Sequence, residues 1–188
     1  MMAKQPLPKF KYHPNPLETR SIIESEKACV VCIKPRGYIY TGPTYGEDSY
    51  ENEICPWCIA DGSAHEELEV TFHDEAGIPG SDFEDAPEVD ESIIEEITQR
   101  TPGFNAWQQE QWFTCCDDAA AFLGRMSAEK LESLGSKAKQ VAQKSYWDEL
   151  NPDDFDSLIE ELDPESSPSL YMFQCLHCKK FGTYWDAD

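Results

Sequence analysis

Apolar positions recur along the chain with two periods, and the period assigns the elements. After Asn151-Pro152, residues Phe155, Leu158, Ile159 and Leu162 fall at i, i+3, i+4 and i+7, the spacing of one helical face. Asn151 is the expected N-cap and Pro152 the expected first helical residue, where a missing N–H costs nothing. The outer face carries Asp153, Asp154, Asp156, Glu160 and Glu161. A helix is predicted from an Asp90 cap to about Gln99, with Ile93, Ile94 and Ile97 on one stripe. Another starts at a Ser127 cap, runs through Leu131 and Leu134, breaks at Gly135 and resumes from Lys137 to Trp147. Leu17 to Ser25 reads as a short helix with Ile22 and Ile23 inward.

The period changes to two elsewhere. Gly37 to Tyr40 reads as a strand ending in the turn Thr41-Gly42-Pro43, and Glu69 to Phe72 alternates as a strand does. Leu170 to Phe173 and Phe181 to Trp185 are rich in strand-forming and aromatic residues. Helical spacing over 104–112 would put Phe104, Trp107 and Gln111 on one face, with Gln108 beside Trp112. Residues 117–123 form a short Ala-rich piece ending at Gly124. The Pro-rich residues 1–16 suggest an extended segment, and 74–90, with Gly77, Pro79, Gly80 and Pro87, a loop.

Cysteine changes this picture most. Eight cysteines form Cys29-x-x-Cys32, Cys55-x-x-Cys58, the pair Cys115-Cys116, and Cys175-x-x-Cys178. In a reducing compartment, paired CxxC units point to metal rather than disulfides. Cys29, Cys32, Cys55 and Cys58 have the form C-x2-C-x22-C-x2-C, which suits four thiolates around one zinc ion. Cys55-Pro56-Trp57-Cys58 also has a thioredoxin-like form, but its flanks lack the strand and long helix of a βαβ unit. Cys175 and Cys178 lie between two predicted strands, as in a zinc ribbon. Cys115 and Cys116 would complete that site. Adjacent strand residues point to opposite sides, so both reaching one ion requires an irregular backbone. Alternatively His177 supplies a ligand, or the group is a cluster of small buried hydrophobes. The predicted class is α+β, with small zinc-bound β elements packed against several short helices. Residues 1–75 form a four-Cys part and 76–188 an acidic helical part closed by the last CxxC hairpin, together one compact unit.

The chain has 188 residues, 40% hydrophobic and 12% aromatic, too aromatic for a disordered acidic protein. Net charge is −22. Residues 1–60 are neutral overall, so the whole excess falls in 61–188, and 61–100 holds fourteen acids opposed by Arg100 alone. That balance argues against a nucleic-acid binder, which needs clustered Lys and Arg. It suits either a solvated surface or a docking face for a basic partner. Glu66, Glu67, Asp85 and Glu160 are candidate contacts of such a face. No apolar run is long enough to span a membrane, and none follows Met1 to Pro6 as a signal peptide would require. The cytoplasm is the expected compartment. GxGxxG, Walker, GxSxG, HExxH and EF-hand patterns are all missing. His65 and His73 stand among acids with no nucleophile at a recognisable spacing, so no catalytic residue is expected.

Several long motifs carry a resemblance. Leu7-Pro8-Lys9-Phe10-Lys11-Tyr12-His13-Pro14-Asn15-Pro16, Arg36 to Pro43, and Ile54 to Ala64 are three of them. Thr101-Pro102-Gly103-Phe104, Trp107-Gln108, Cys116 to Gly124 and Phe173 to Cys178 continue the pattern. Together they resemble the CbrC family of bacterial proteins, whose name is linked to tolerance of colicins. In that family a His often precedes the cysteine matching Cys116; here Cys115 stands there, and either residue type binds zinc. The resemblance implies toxin tolerance; with the cysteine spacing and the missing catalytic motifs, the expectation is a non-enzymatic, zinc-stabilised protein of toxin tolerance or immunity. The acidic charge suits capture of a basic nuclease toxin, without direct nucleic-acid or membrane binding. The alternatives are a zinc-dependent hydrolase or nucleic-acid-modifying enzyme, and a stress-response adaptor.

Overall fold

In the computed structural model, which describes residues 5–83, 85–146 and 151–188, residues 17–25 do not form the predicted helix. A turn closed by the Glu18 and Thr19 amides on the Asn15 carbonyl leads into β1 (Ile22–Ala28). β1 pairs antiparallel with β2 (Pro35–Tyr40), placing Ile22 opposite Tyr40 and Ile23 opposite Ile39. Ile22 is buried and Ile23 exposed, the alternation of a strand and not the shared inward face of a helix. The first CxxC lies in the connection between these strands, so closing the hairpin overrides the local helical spacing.

Two short helices follow, α1 (Pro56–Ala60) and α2 (Ser63–Leu68). Val70 and Phe72 are buried, as alternation predicts, but residues 69–72 form only one bridge, Thr71 to Tyr45. The Phe72 amide turns to the Thr98 carbonyl instead. Phe10, Ile22, Tyr40, Ile54, Ile59 and Phe72 form the core of this part, together with three of the cysteines.

The described residues of 74–90 are loop, as predicted, apart from one 3-10 turn at Glu75–Gly77. α3 (Glu91–Arg100) starts where expected, with the Asp90 carboxylate accepting the Ser92 amide. Ile97 is buried, while Ile93 and Ile94 cover a central aromatic cluster. Residues 104–112 are irregular and not helical. The Trp112 amide donates to the Gly77 carbonyl and the Gly80 amide to the Trp112 carbonyl, fixing the segment against the 74–90 loop. Gly103 sets its entry: a Cβ there would lie 1.9 Å from the Phe72 carbonyl oxygen, so the two backbones touch. Trp112 is then fully buried, its indole N–H 2.9 Å from the Ala120 carbonyl. Phe104 stacks on Phe122 at 3.9 Å. Trp107, by contrast, is exposed.

The Ala-rich piece becomes strand. β3 (Thr114–Cys115) and β4 (Asp118–Ala119) form a small hairpin. β5 (Ala121–Arg125) joins β6 (Ser169–Gln174) and β7 (Phe181–Asp186) in an antiparallel sheet of order β5-β6-β7. Alternation divides this sheet. Tyr171, Phe173 and Tyr184 face the aromatic cluster, whereas Leu170, Met172 and Trp185 face α4 (Ala128–Leu134), α5 (Ser136–Lys144) and α6 (Pro152–Glu160). The predicted caps are present. Ser127 accepts the Lys130 amide, and Asn151 accepts the Asp153 and Asp154 amides. Gly135, at φ 85°, separates α4 from α5. The predicted end at Trp147 lies outside the described residues. On α6, Phe155 and Ile159 are buried with Leu162 just beyond the helix, while Leu158 sits half-buried at the stripe's edge.

Candidate metal centres

Cys29 and Cys32 sit in a knuckle between β1 and β2. The Cys29 amide donates to the Lys34 carbonyl at 3.1 Å, and Ile33 takes the left-handed conformation that turns the chain back. Cys55 and Cys58 open α1, where Pro56 fixes the first helical residue. The Cys29 and Cys58 sulfurs are 3.8 Å apart, Cys32 and Cys55 3.8 Å, and Cys55 and Cys58 3.6 Å. The Cys55 amide donates to the Cys29 sulfur at 3.3 Å. Four sulfurs bound at about 2.3 Å to one ion stand about 3.8 Å apart at the corners of a tetrahedron. The cluster therefore matches a bound ion, and its sulfurs are too far apart for disulfides. Cys29 is drawn toward the thiolate chiefly by the hydrogen bond from the Cys55 thiol, which stays protonated the harder for it. Cys29, Cys55 and Cys58 are each no more than 2% exposed; Cys32 is half-buried. α1 has five residues and follows no buried parallel strand, so the thioredoxin-like reading has no scaffold.

The second group repeats the knuckle. The Cys175 amide donates to the Lys180 carbonyl at 2.8 Å, and Lys179 occupies the left-handed position held by Ile33 in the first. Cys115 and Cys116 come from the β3–β4 hairpin. Cys116 and Asp117 both have φ 56° and form its two-residue turn, as a tight hairpin requires. This is the irregular backbone that adjacent ligands demand, and it swings both sulfurs to one side. Cys115 lies 3.8 Å from Cys116 and 3.6 Å from Cys178, sulfur to sulfur. All four sulfurs of each group lie within 4.8 Å of one another. Cys175 is buried, Cys115 half-buried, and Cys116 and Cys178 are exposed.

His177 is not among these groups. Its Nε2 lies 2.9 Å from the Asp118 carboxylate. Asp118, buried at the base of the hairpin, also accepts the Tyr12 hydroxyl at 2.7 Å and the Lys11 ammonium at 2.9 Å. Burial alone would raise its pKa, but the hydrogen bonds from Tyr12, Lys11 and His177 outweigh that and hold it at about 2. Asp118 thus ties the Pro-rich N-terminal segment, the hairpin and the second knuckle together. Nothing in the sequence marked it apart from Asp117 beside it.

The proposed contact residues are all exposed, on three separate elements: Glu66 and Glu67 on α2, Asp85 in the loop before α3, and Glu160 on α6. Of the histidines set aside as bystanders, His65 donates its Nδ1–H to the Val70 carbonyl, 2.9 Å away. His73 is fully buried against Trp112, and neither of its ring nitrogens has a hydrogen-bond partner among the described residues. Among the described residues no helix is long and apolar enough to cross a membrane.

No solved structure matches the chain. It is 40% identical over 182 residues to UPF0167 protein Mb2317 of Mycobacterium bovis, covering 97% of this chain and 94% of that protein. It is 38% identical over 187 residues to UPF0167 protein PA1536 of Pseudomonas aeruginosa, covering 97% of each. The model of the uncharacterised protein family UPF0167 matches residues 7–187, a span that takes in both cysteine groups, and the chain belongs to that family.

Proposed function

We propose that this is a non-enzymatic zinc-binding protein that neutralises a basic, nuclease-type protein toxin through its acidic surface. The observation that carries the metal half is the pair of four-sulfur groups with tetrahedral spacing. Soft thiolates in that geometry favour zinc over magnesium, calcium or manganese. Four thiolates fill the coordination sphere and leave no position for a reacting water, so both centres are structural. The purified protein is expected to carry two zinc ions per chain by elemental analysis. A folded, metal-free protein would overturn the reading.

The toxin half rests on the motifs that resemble the CbrC family and on charge. Of the 37 carboxylates, 22 lie in 61–100 and 149–165. Glu66, Glu67, Asp85 and Glu160 have no ion-pair partner among the described residues. An acidic surface speeds capture of a basic partner, and salt screens the attraction. Association with a basic colicin nuclease domain is therefore expected to slow about tenfold or more as salt rises from low to physiological strength. A rate indifferent to salt, or no complex, would leave the acids as a solvated surface only.

The Asp118–His177 pair beside the second centre favours the other reading, a zinc-dependent hydrolase or nucleic-acid-modifying enzyme. A cobalt-substituted second centre separates the two. Four-thiolate absorption supports the structural role, and a spectrum that shifts with added anions indicates an open coordination position.

A further inference from the structure

We propose that the second centre is a site of oxidation by peroxides, at which Cys115 and Cys178 form a disulfide and the ion is released while the first centre keeps its own. The inference rests on the reading that the second group holds zinc.

The two centres have the same knuckle but different access. In the first, three of the four sulfurs belong to residues no more than 2% exposed, and the half-buried Cys32 has the buried Cys55 as its neighbour. In the second, Cys116 and Cys178 are exposed and only Cys175 is buried. Metal-bound cysteines are already thiolates, and among thiolates access decides which one an oxidant reaches. Cys116 and Cys178 are therefore the two open targets, and Cys178 has the Cys115 sulfur 3.6 Å away.

Between the two exposed sulfurs, the backbone favours Cys178 as the one that Cys115 joins. Joining Cys115 to Cys116 would bridge adjacent residues across a turn already held in the left-handed conformation. Joining Cys115 to Cys178 links the end of β3 to the second knuckle, two segments that already stand side by side.

The chemistry balances with hydrogen peroxide as the oxidant. The Cys178 sulfur takes one peroxide oxygen, the O–O bond breaks, and water leaves, giving a sulfenic acid. The Cys115 thiolate attacks that sulfur, the S–O bond breaks, and hydroxide departs to be protonated. Two thiolates, one peroxide and two protons become one disulfide and two waters. Only Cys116 and Cys175 then remain to the ion, half of a tetrahedral set.

The test begins with the metal content of the purified wild-type protein, followed by hydrogen peroxide, with zinc release followed by a metallochromic dye and cross-links mapped by peptide mass spectrometry. One equivalent is expected to leave about tenfold or more faster than the other, in step with a Cys115–Cys178 cross-link. Dithiothreitol and added zinc should restore the starting state. Release of both ions at one rate, a fast phase mapping to Cys29, Cys32, Cys55 or Cys58, or no Cys115–Cys178 link would overturn the proposal. A protein that starts with one ion, held by the first centre, overturns the second-centre reading itself, and that result is in hand before peroxide is added.

Discussion

Replacing Cys58 by serine is expected to leave residues 7–72 without a folded core. Cys58 is 2% exposed and lies within 3.8 Å of both Cys29 and Cys55. The three sulfurs that would remain are packed among Phe10, Ile22, Tyr40, Ile54 and Phe72, so an ion bound there would form its site together with the core. Structural zinc sites of this type carry roughly 10–16 kcal/mol of apparent binding free energy at neutral pH. A whole domain is stable by only about 5–15 kcal/mol. Hydrogen exchange at the Ile22, Tyr40, Thr71 and Phe72 amides, each hydrogen-bonded in the fold, should rise to unprotected rates, with one zinc ion lost per chain. Cys178 supplies the comparison. It is exposed, and β6 and β7 pair over their full length beside it, so Cys178→Ser should cost a few kcal/mol at most while that sheet survives. Wild-type protection in Cys58→Ser would show that the hydrophobic cluster folds without its metal.

Acid is expected to destabilise the protein well above the range in which ordinary carboxylates titrate. Burial pushes the imidazoles of His13 and His73 from 6.5 down to about 4. For His13 the Lys130 charge adds to that effect, while the Pro102 carbonyl opposes it. For His73 the Asp74 charge and the Gly77 backbone oppose it. The sign follows from proton uptake. Between those two values the unfolded chain holds protons that the folded chain does not, so stability rises with pH there and is lost as pH falls. Each histidine contributes on the order of 3 kcal/mol across that window. Glu110 acts in the opposite sense, because burial raises its pKa and the folded form takes up its proton first. Asp118, held at about 2, enters only in stronger acid. Thiolate protonation also weakens metal binding in acid, so His73→Phe isolates the histidine part. His73 makes no well-formed hydrogen bond and has only the approach of the Gly77 backbone to lose, whereas His13 binds the Pro102 carbonyl and the Thr19 hydroxyl, each at 2.7 Å. The variant should keep or gain stability at pH 7 and lose about half of the histidine contribution to the slope between pH 6.5 and 4. An unchanged slope would place the acid sensitivity elsewhere.

Where local signals and tertiary contacts agree, the sequence is legible. Asp90, Ser127 and Asn151 cap the helices they were expected to cap, because a cap is satisfied within its own turn. Cys175 and Cys178 stand between two strands as their flanks predict, while the matching knuckle at Cys29 and Cys32 is visible only in the structure. The need for an irregular backbone at Cys115-Cys116 was readable before the left-handed turn that supplies it. What escaped depends on distant partners. Ile22 and Ile23 read as helix until β2, beyond the knuckle, claims them for a ribbon. Trp112 reads as one face of a helix until the Gly77 and Ala120 carbonyls take its two N–H groups. Asp118 looks like any solvated acid, since the three side chains that bind it come from the N-terminal segment and the last knuckle.

The hairpin and the second knuckle also have a topological consequence. Cys115 and Cys175 are 60 residues apart, and the intervening chain holds β5, the three helices α4, α5 and α6, and β6. An ion held by both ends makes that stretch a closed loop. Tethering a loop of this size lowers the entropy of the unfolded chain by an amount worth about 4 kcal/mol. A protease that cuts between the helices would open the loop without freeing a fragment, since each new end still leads back to the same ion. The Cys115–Cys178 disulfide would close nearly the same loop, so the tether would outlast the metal.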